Sequence, residues 1–171
     1  MTTTPDELQH AIRAAAFRRG TFVLPDGTVL DEYFDEYLMA SDPHLLGQVA
    51  SEMARLLPTN TQVLAGLELS GVALAVAVSA ATGIPAVFVR RRQKTYGTRR
   101  RIEGLPVTGR EVVLVDDVVR TGAQLIEAEQ ALAARSAHVR AAVCVVDRGL
   151  GAGPRLQGAG VALHALMTVR S

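Results

Sequence analysis

Asp116 and Asp117 stand side by side where an apolar run, Val112 to Val115, gives way to the turn Arg120-Thr121-Gly122. Paired carboxylates suit ribose hydroxyls or a metal ion, and they repel phosphate. The residues that follow do the reverse. Thr121, Gly122, Ala123 and Gln124 open a segment of helix formers, so free backbone N–H groups and the positive end of a helix dipole face an incoming anion. Gly122 permits close approach. Acid pair, Val118, Val119 and phosphate turn, in that register, read as a grip for a sugar phosphate. The bland alternative is an ordinary strand-to-helix corner with two solvated acids.

Two further stretches carry compatible chemistry. Gly66-Leu67-Glu68-Leu69-Ser70-Gly71 is a turn at the start of a helix, and its amides near Leu69 to Gly71 can hold a second phosphate group. Arg90, Arg91 and Lys94 follow another apolar run and supply cations for a pyrophosphate. Arg99, Arg100 and Arg101 read equally as a solvated loop.

These segments require elements that bring them to one edge. The pattern predicts a helix from Pro5 to Arg19, a hairpin through Thr21–Leu24 and Thr28–Leu30, and a further strand or loop over Asp31 to Ala40. A helix from Pro43 to Leu57 follows, then strand, helix, strand over Gln62–Ala65, Gly71–Thr82 and Ala86–Arg90. The order repeats with Val112–Val115, Gly122–Arg135 and His138–Val146, and Val161–Val169 is a last strand. Alternation at this spacing predicts an α/β fold with a central parallel sheet flanked by helices, whose C-terminal strand ends line a crevice. Arg91 to Arg110 breaks the rhythm and reads as a functional loop hinged at Gly97 and Gly104.

A chain of 171 residues makes a single domain over 1–171. Its net charge of +1 gives no global field for nucleic acid, so a nucleic-acid partner is not favoured. Leu69 to Val89 is uncharged but broken by Gly83-Ile84-Pro85, which reads as buried helix plus buried strand and not as a membrane span. No apolar stretch follows a basic start, so a soluble cytoplasmic protein is expected. Lone Cys144 reads as a small buried hydrophobe, and His10, His44, His138 and His164 form no metal set.

The acid-pair stretch EVVLVDDVVRTGAQ resembles the PRPP signature of type I phosphoribosyltransferases. Ala65 to Gly104 resembles the matching segment of the orotate phosphoribosyltransferases. There a G-x-E-x-x-G turn precedes a helix, and a strand runs into R-K-x-x-K-x-[HY]-G-T and I-E-G. The matches are Gly66, Glu68, Gly71, Arg90, Arg91 in place of lysine, Lys94, Tyr96, Gly97, Thr98, Ile102, Glu103 and Gly104. Asp147-Arg148-Gly149 matches the D-R turn, and Tyr33, Asp35 and Tyr37 match the hood.

The resemblance implies a type I phosphoribosyltransferase fold. It has a five-stranded parallel core, about 43–150, under a small N-terminal hood, mainly 20–40 plus the C-terminal segment. It implies Mg²⁺-dependent exchange of a base, most simply orotate, for pyrophosphate at C1 of PRPP through an oxocarbenium-like transition state. Catalytic roles fall on Asp116, Asp117 and Lys94. PRPP contacts fall on Arg90, Arg91, Lys94, Tyr96 and residues 116–124, the pyrophosphate turn on Glu68, Leu69, Ser70 and Gly71, and base contacts on Arg120 and Arg148. Mg²⁺ is implied as bound with PRPP and not by a dedicated ligand set. A homodimer whose loop 91–105 reaches the neighbouring site is also implied. The chain departs from the family at Pro25, where an orotate-side lysine is usual, and at Arg120, where threonine is usual. These departures keep open a transferase for another base, and a regulator that binds PRPP or RNA on the same fold.

Overall fold

A computed structural model describes residues 4–24, 27–93 and 100–169. Helix α1 (Pro5–Ala16) begins in a capping box, Thr4 accepting from the Glu7 amide while the Glu7 carboxylate takes the Thr4 amide. It stops at Ala16, short of the expected Arg19. Phe17 turns extended and opens β1 (Phe17–Val23), which pairs antiparallel with β2 (Val29–Phe34) and sets Phe17 edge-on to Phe34 at 5.1 Å. The expected hairpin is therefore present and longer.

Asp31 to Ala40 is not the single strand or loop expected. After β2 ends, Asp35 accepts from the amides of Tyr37 and Leu38 and caps a short helix, α2 (Glu36–Ser41). Asp42 does the same for α3 (Pro43–Arg55), with Pro43 in the first turn.

The remaining elements alternate: β3 (Val63–Leu67), α4 (Ser70–Thr82), β4 (Ala86–Val89), β5 (Ile102–Glu103), β6 (Glu111–Val119), α5 (Ala123–Ala133), β7 (His138–Asp147), α6 (Ala152–Gly158) and β8 (Ala162–Thr168). They build one sheet in the order β5-β4-β3-β6-β7-β8. Five of its strands are parallel, as expected, and β5 adds an antiparallel edge to β4 from within the Arg-rich segment. The assignment of the C-terminal segment to the hood is corrected: β8 pairs in parallel with β7, from Ala141 opposite Ala162 to Asp147 opposite Thr168. The Gly- and Pro-rich connection before it holds α6, which the pattern did not reveal.

Period-two alternation sorts the central strands between two apolar layers. Val113, Val115, Val143 and Val145 face Ile12, Val49, Met53, Leu74 and Val78 on one side. Val112, Leu114, Ala142 and Cys144 face Leu125, Leu132 and Leu156 on the other. Burial on both faces explains the unbroken apolar reading of β6, and Cys144 sits fully buried as expected. Among the described residues no helix is long and apolar enough to cross a membrane.

Candidate functional site

β6 does not end at Val115. It continues to Val119 through both acids, Asp116 pairing opposite Cys144 and Val118 opposite Val146, so the carboxylates are held by the sheet itself. Asp116 and Asp117 are only 6% and 7% exposed. The Asp117 amide donates to Asp116 Oδ1 at 3.1 Å. Burial first, and the adjacent Asp117 charge second, raise Asp116 well above the ordinary carboxylate range.

The β3–α4 turn is bound to this pair. Ser70 Oγ donates to Asp117 Oδ1 at 2.8 Å. Glu68 Oε2 accepts from the Arg91 amide at 3.0 Å, Glu68 O accepts from Arg91 Nε at 3.3 Å, and Glu68 Oε1 pairs with Arg90 Nη2 at 3.4 Å. The Glu68–Leu69 peptide is cis. Two glycines allow the approach. A Cβ at Gly66 would lie 2.6 Å from the Gly71 carbonyl oxygen, and one at Gly71 would lie 2.5 Å from the Val115 carbonyl oxygen. Both neighbours are backbone and cannot swing aside.

After β6 the chain reaches Gly122 at φ +76°, and among the described residues no side chain caps the start of α5. The first helical bond runs from the Ile126 amide to the Gly122 carbonyl, which leaves the amides ahead of it for an anion. A Cβ at Gly122 would also press Leu156 of α6 at 3.3 Å.

Two adjoining clefts open over these groups. One, of about 230 Å³, is lined by Glu68, Ser70, Arg91, Asp116, Asp117, Val118, Arg120, Gln124 and Arg148, with Leu24, Leu30, Tyr33, Phe34 and Glu36 from the hood side. The other, of about 380 Å³, is lined by Val118 to Leu125 together with Asp116 and Leu24. The first joins acids, cations and hood; the second is the phosphate turn. Arg120 belongs to both.

Most of the residues singled out from the sequence are thus brought together. Gly71 serves from below, as a packing contact. Arg90 and Leu69 are not brought to these clefts: Arg90 lines a small pocket beside Arg101 and Glu127, and Leu69 stands 62% exposed. Lys94, Tyr96 and Pro25 lie outside the described residues.

Glu36 was missed, because it sits within the mixed acidic and aromatic run Asp31 to Ala40, expected only as a further strand or loop. It lines the cleft, and burial, with Asp117 adding to it, raises its carboxyl above the usual range. Tyr33, matched to the hood, lines the cleft too, and burial and the carboxylates of Glu36, Asp35 and Asp117 push its phenol up. Arg148 enters from the end of β7 with its side chain 7% exposed. Among the described residues its Nη1 has no hydrogen-bond partner, and Glu32 Oε1 on β2 stands 4.0 Å away. The acid pair is the nearest approach to a metal centre: among the described residues no group of three or more His, Cys, Asp or Glu could hold an ion.

Comparison with known proteins agrees with this geometry. A family model for the phosphoribosyl transferase domain matches residues 43–160, from the start of α3 to just before β8. An orotate phosphoribosyltransferase of a Nocardioides species is 44% identical over 87% of this chain and 83% of its own length. That of Halobacterium salinarum is 41% identical over 95% of this chain and 93% of its own. Among solved structures, Mycobacterium tuberculosis orotate phosphoribosyltransferase in complex with Fe(III) dicitrate superposes with a TM-score of 0.85 at 28% identity, covering 96% of this chain and 95% of that one. The same enzyme in complex with PRPP gives 0.81 at 26% identity, covering 96% of each.

Proposed function

We propose that this chain, which belongs to the orotate phosphoribosyltransferases of the phosphoribosyl transferase family, transfers the phosphoribosyl group of PRPP to orotate, releasing pyrophosphate and forming orotidine 5′-monophosphate. The observation that carries the reading is the shared cleft of the buried acid pair, the uncapped start of α5, Arg91 and Arg148.

In this reading the amides of residues 122–124 and Arg120 take the 5′-phosphate, and the ribose hydroxyls meet Asp116 and Asp117. As the bond from C1 to the pyrophosphate oxygen breaks, positive charge grows on the ribose ring and negative charge on the leaving group. The acid pair stabilises the first. Arg91, held by Glu68, and the turn amides near Ser70 stabilise the second, with Lys94 and Tyr96 joining from the loop. The base attacks C1 between Tyr33 on the hood and Arg148, whose unpartnered Nη1 suits the carboxylate of orotate.

Mg²⁺ would enter bound with PRPP, and the oxygen donors of Asp116 and Asp117 are the residues of the cleft that would face it. When bound, Mg²⁺ supplies neutralisation of the departing pyrophosphate. We read the enzyme as a cytoplasmic homodimer in which loop 91–105 reaches the neighbouring site. The outward apolar face of α4, with Val76 51% exposed, supports such pairing.

Incubation with Mg-PRPP and orotate, uracil, adenine, guanine or hypoxanthine tests the reading. Pyrophosphate release with orotate is expected. Release with another base alone overturns the base assignment, and no release with any base, together with RNA affinity that falls steeply with salt, overturns the enzyme.

A further inference from the structure

Arg148 is the one described cation enclosed on nearly every side at the cleft, and it is under-satisfied. Its Nη1 makes no hydrogen bond to any described residue. The neighbouring carboxylate, Glu32, stops at 4.0 Å, within ion-pair range and beyond hydrogen-bond range. The two groups also differ in freedom. Arg148 sits at the end of a central strand with its side chain 7% exposed, whereas the Glu32 side chain is 26% exposed and belongs to the two-stranded hood hairpin. The guanidinium is therefore fixed, and the carboxylate can withdraw towards water.

We propose that Glu32 is a resident counter-charge that the carboxylate of the incoming base displaces, and so a residue that sets how tightly that carboxylate is held at Arg148. This deepens the orotate reading and rests on Arg148 as the partner of the base carboxylate. Glu32 offsets the charge of a buried guanidinium without filling its donors. A carboxylate that reaches hydrogen-bond distance of Nη1 replaces a loose ion pair by a charge-assisted hydrogen bond, and Glu32 turns outward. A ring lacking a carboxylate leaves the resident pair untouched. A small anion meets the negative potential of Glu32 without a ring to pack against Tyr33, Leu24 and Leu30. Glu32 thus weakens every anion at Arg148, and a carboxylate carried on a planar ring recovers the loss through the hood wall.

Glu32→Gln removes the competing charge and keeps the shape. Steady-state transfer should then show a KM for orotate lowered roughly three- to tenfold. The KM for PRPP and the inhibition constant of uracil, the same ring without its carboxylate, should stay within about twofold. Inhibition by benzoate should strengthen in step with orotate. In an Arg148→Gln background the same substitution should no longer lower the orotate KM. Glu32→Ala provides a second variant, with the same fall expected. An orotate KM that is unchanged or raised in the single variants overturns the inference, since Glu32 would then be a bystander or an aid in orienting Arg148. A fall that persists without Arg148 overturns it as well. If the parent enzyme releases pyrophosphate with another base only, the orotate reading fails and takes the inference with it, an outcome visible before any variant is made.

Discussion

Asp116 is held where its charge is poorly tolerated. Its carboxyl is buried beneath the cleft, beside Asp117, and its proton affinity in the folded chain exceeds that in the unfolded one. A group whose folded pKa is raised contributes stability that is fully present below its unfolded pKa, about 3.9 for aspartate, and lost as pH rises through the folded value. The native fold therefore carries a penalty at neutral pH that a neutral isostere lacks. Asp116→Asn should raise the neutral-pH unfolding midpoint by about 1–4 °C and flatten its decline above about pH 4. It should also lower kcat, because the ribose loses a charge partner. Thermal unfolding followed from acid to neutral pH checks the first effect and pyrophosphate release the second; a lower midpoint at neutral pH would contradict the burial argument.

Elements position these residues through backbone contacts that side chains cannot replace. A Cβ at Gly71 would sit 2.5 Å from the Val115 carbonyl oxygen, at the point where the start of α4 meets the middle of β6. Gly71→Ala should therefore destabilise the fold by about 1–3 kcal/mol and raise the KM for PRPP, since the turn that carries Ser70 must shift. Gly47, inside α3, is the contrast, because nothing lies within 4 Å of where its Cβ would stand. Gly47→Ala should be stabilising by about 0.5–1 kcal/mol, from helix propensity alone. Urea unfolding of the two variants separates the cases. Equal effects would mean that the close approach at Gly71 is not a constraint.

Strand by strand, the apolar runs from Val63 onward were legible because a parallel sheet covered on both faces leaves long uninterrupted stretches of Val, Leu and Ala. The phosphate turn was legible for a different reason: its chemistry is local, with acids, glycine and helix start contiguous in the chain. What escaped is non-local or masked by composition. The Glu32–Arg148 pair joins positions far apart in the chain, and no periodicity announces it. α2 hides in an acidic, aromatic run whose only signal is Asp35 as a cap, and α6 in a glycine- and proline-containing connection. The membership of β8 in the sheet depends on its register with β7, which a lone apolar run does not specify.

For the molecule as a whole, α4 poses an assembly question. It is apolar on every side, yet only Gly71, Leu74, Ala75 and Val78 are buried, while Val76 and nearby Leu69 remain largely exposed. A helix of that composition normally has neighbours all round. If the outward face is the contact of the proposed homodimer, Val76→Glu should convert the dimer to monomer in sedimentation velocity and lower activity, as the proposed reach of the loop into the neighbouring site requires. A dimer that survives the substitution would move the contact elsewhere.

The hood hairpin is a continuous excursion of the chain between α1 and α2. The Asp35 amide donates to the Ala16 carbonyl at 2.8 Å, so the strands leave and re-enter at one hydrogen-bonded point. Leu24, Leu30 and Tyr33 all lie within that excursion, whereas the phosphate turn and acid pair lie wholly outside it. Divergence can therefore act on the two halves of the ligand separately. A new hairpin would change the wall against which the ring packs, while Arg148 and the sugar-phosphate machinery outside it would be inherited unchanged.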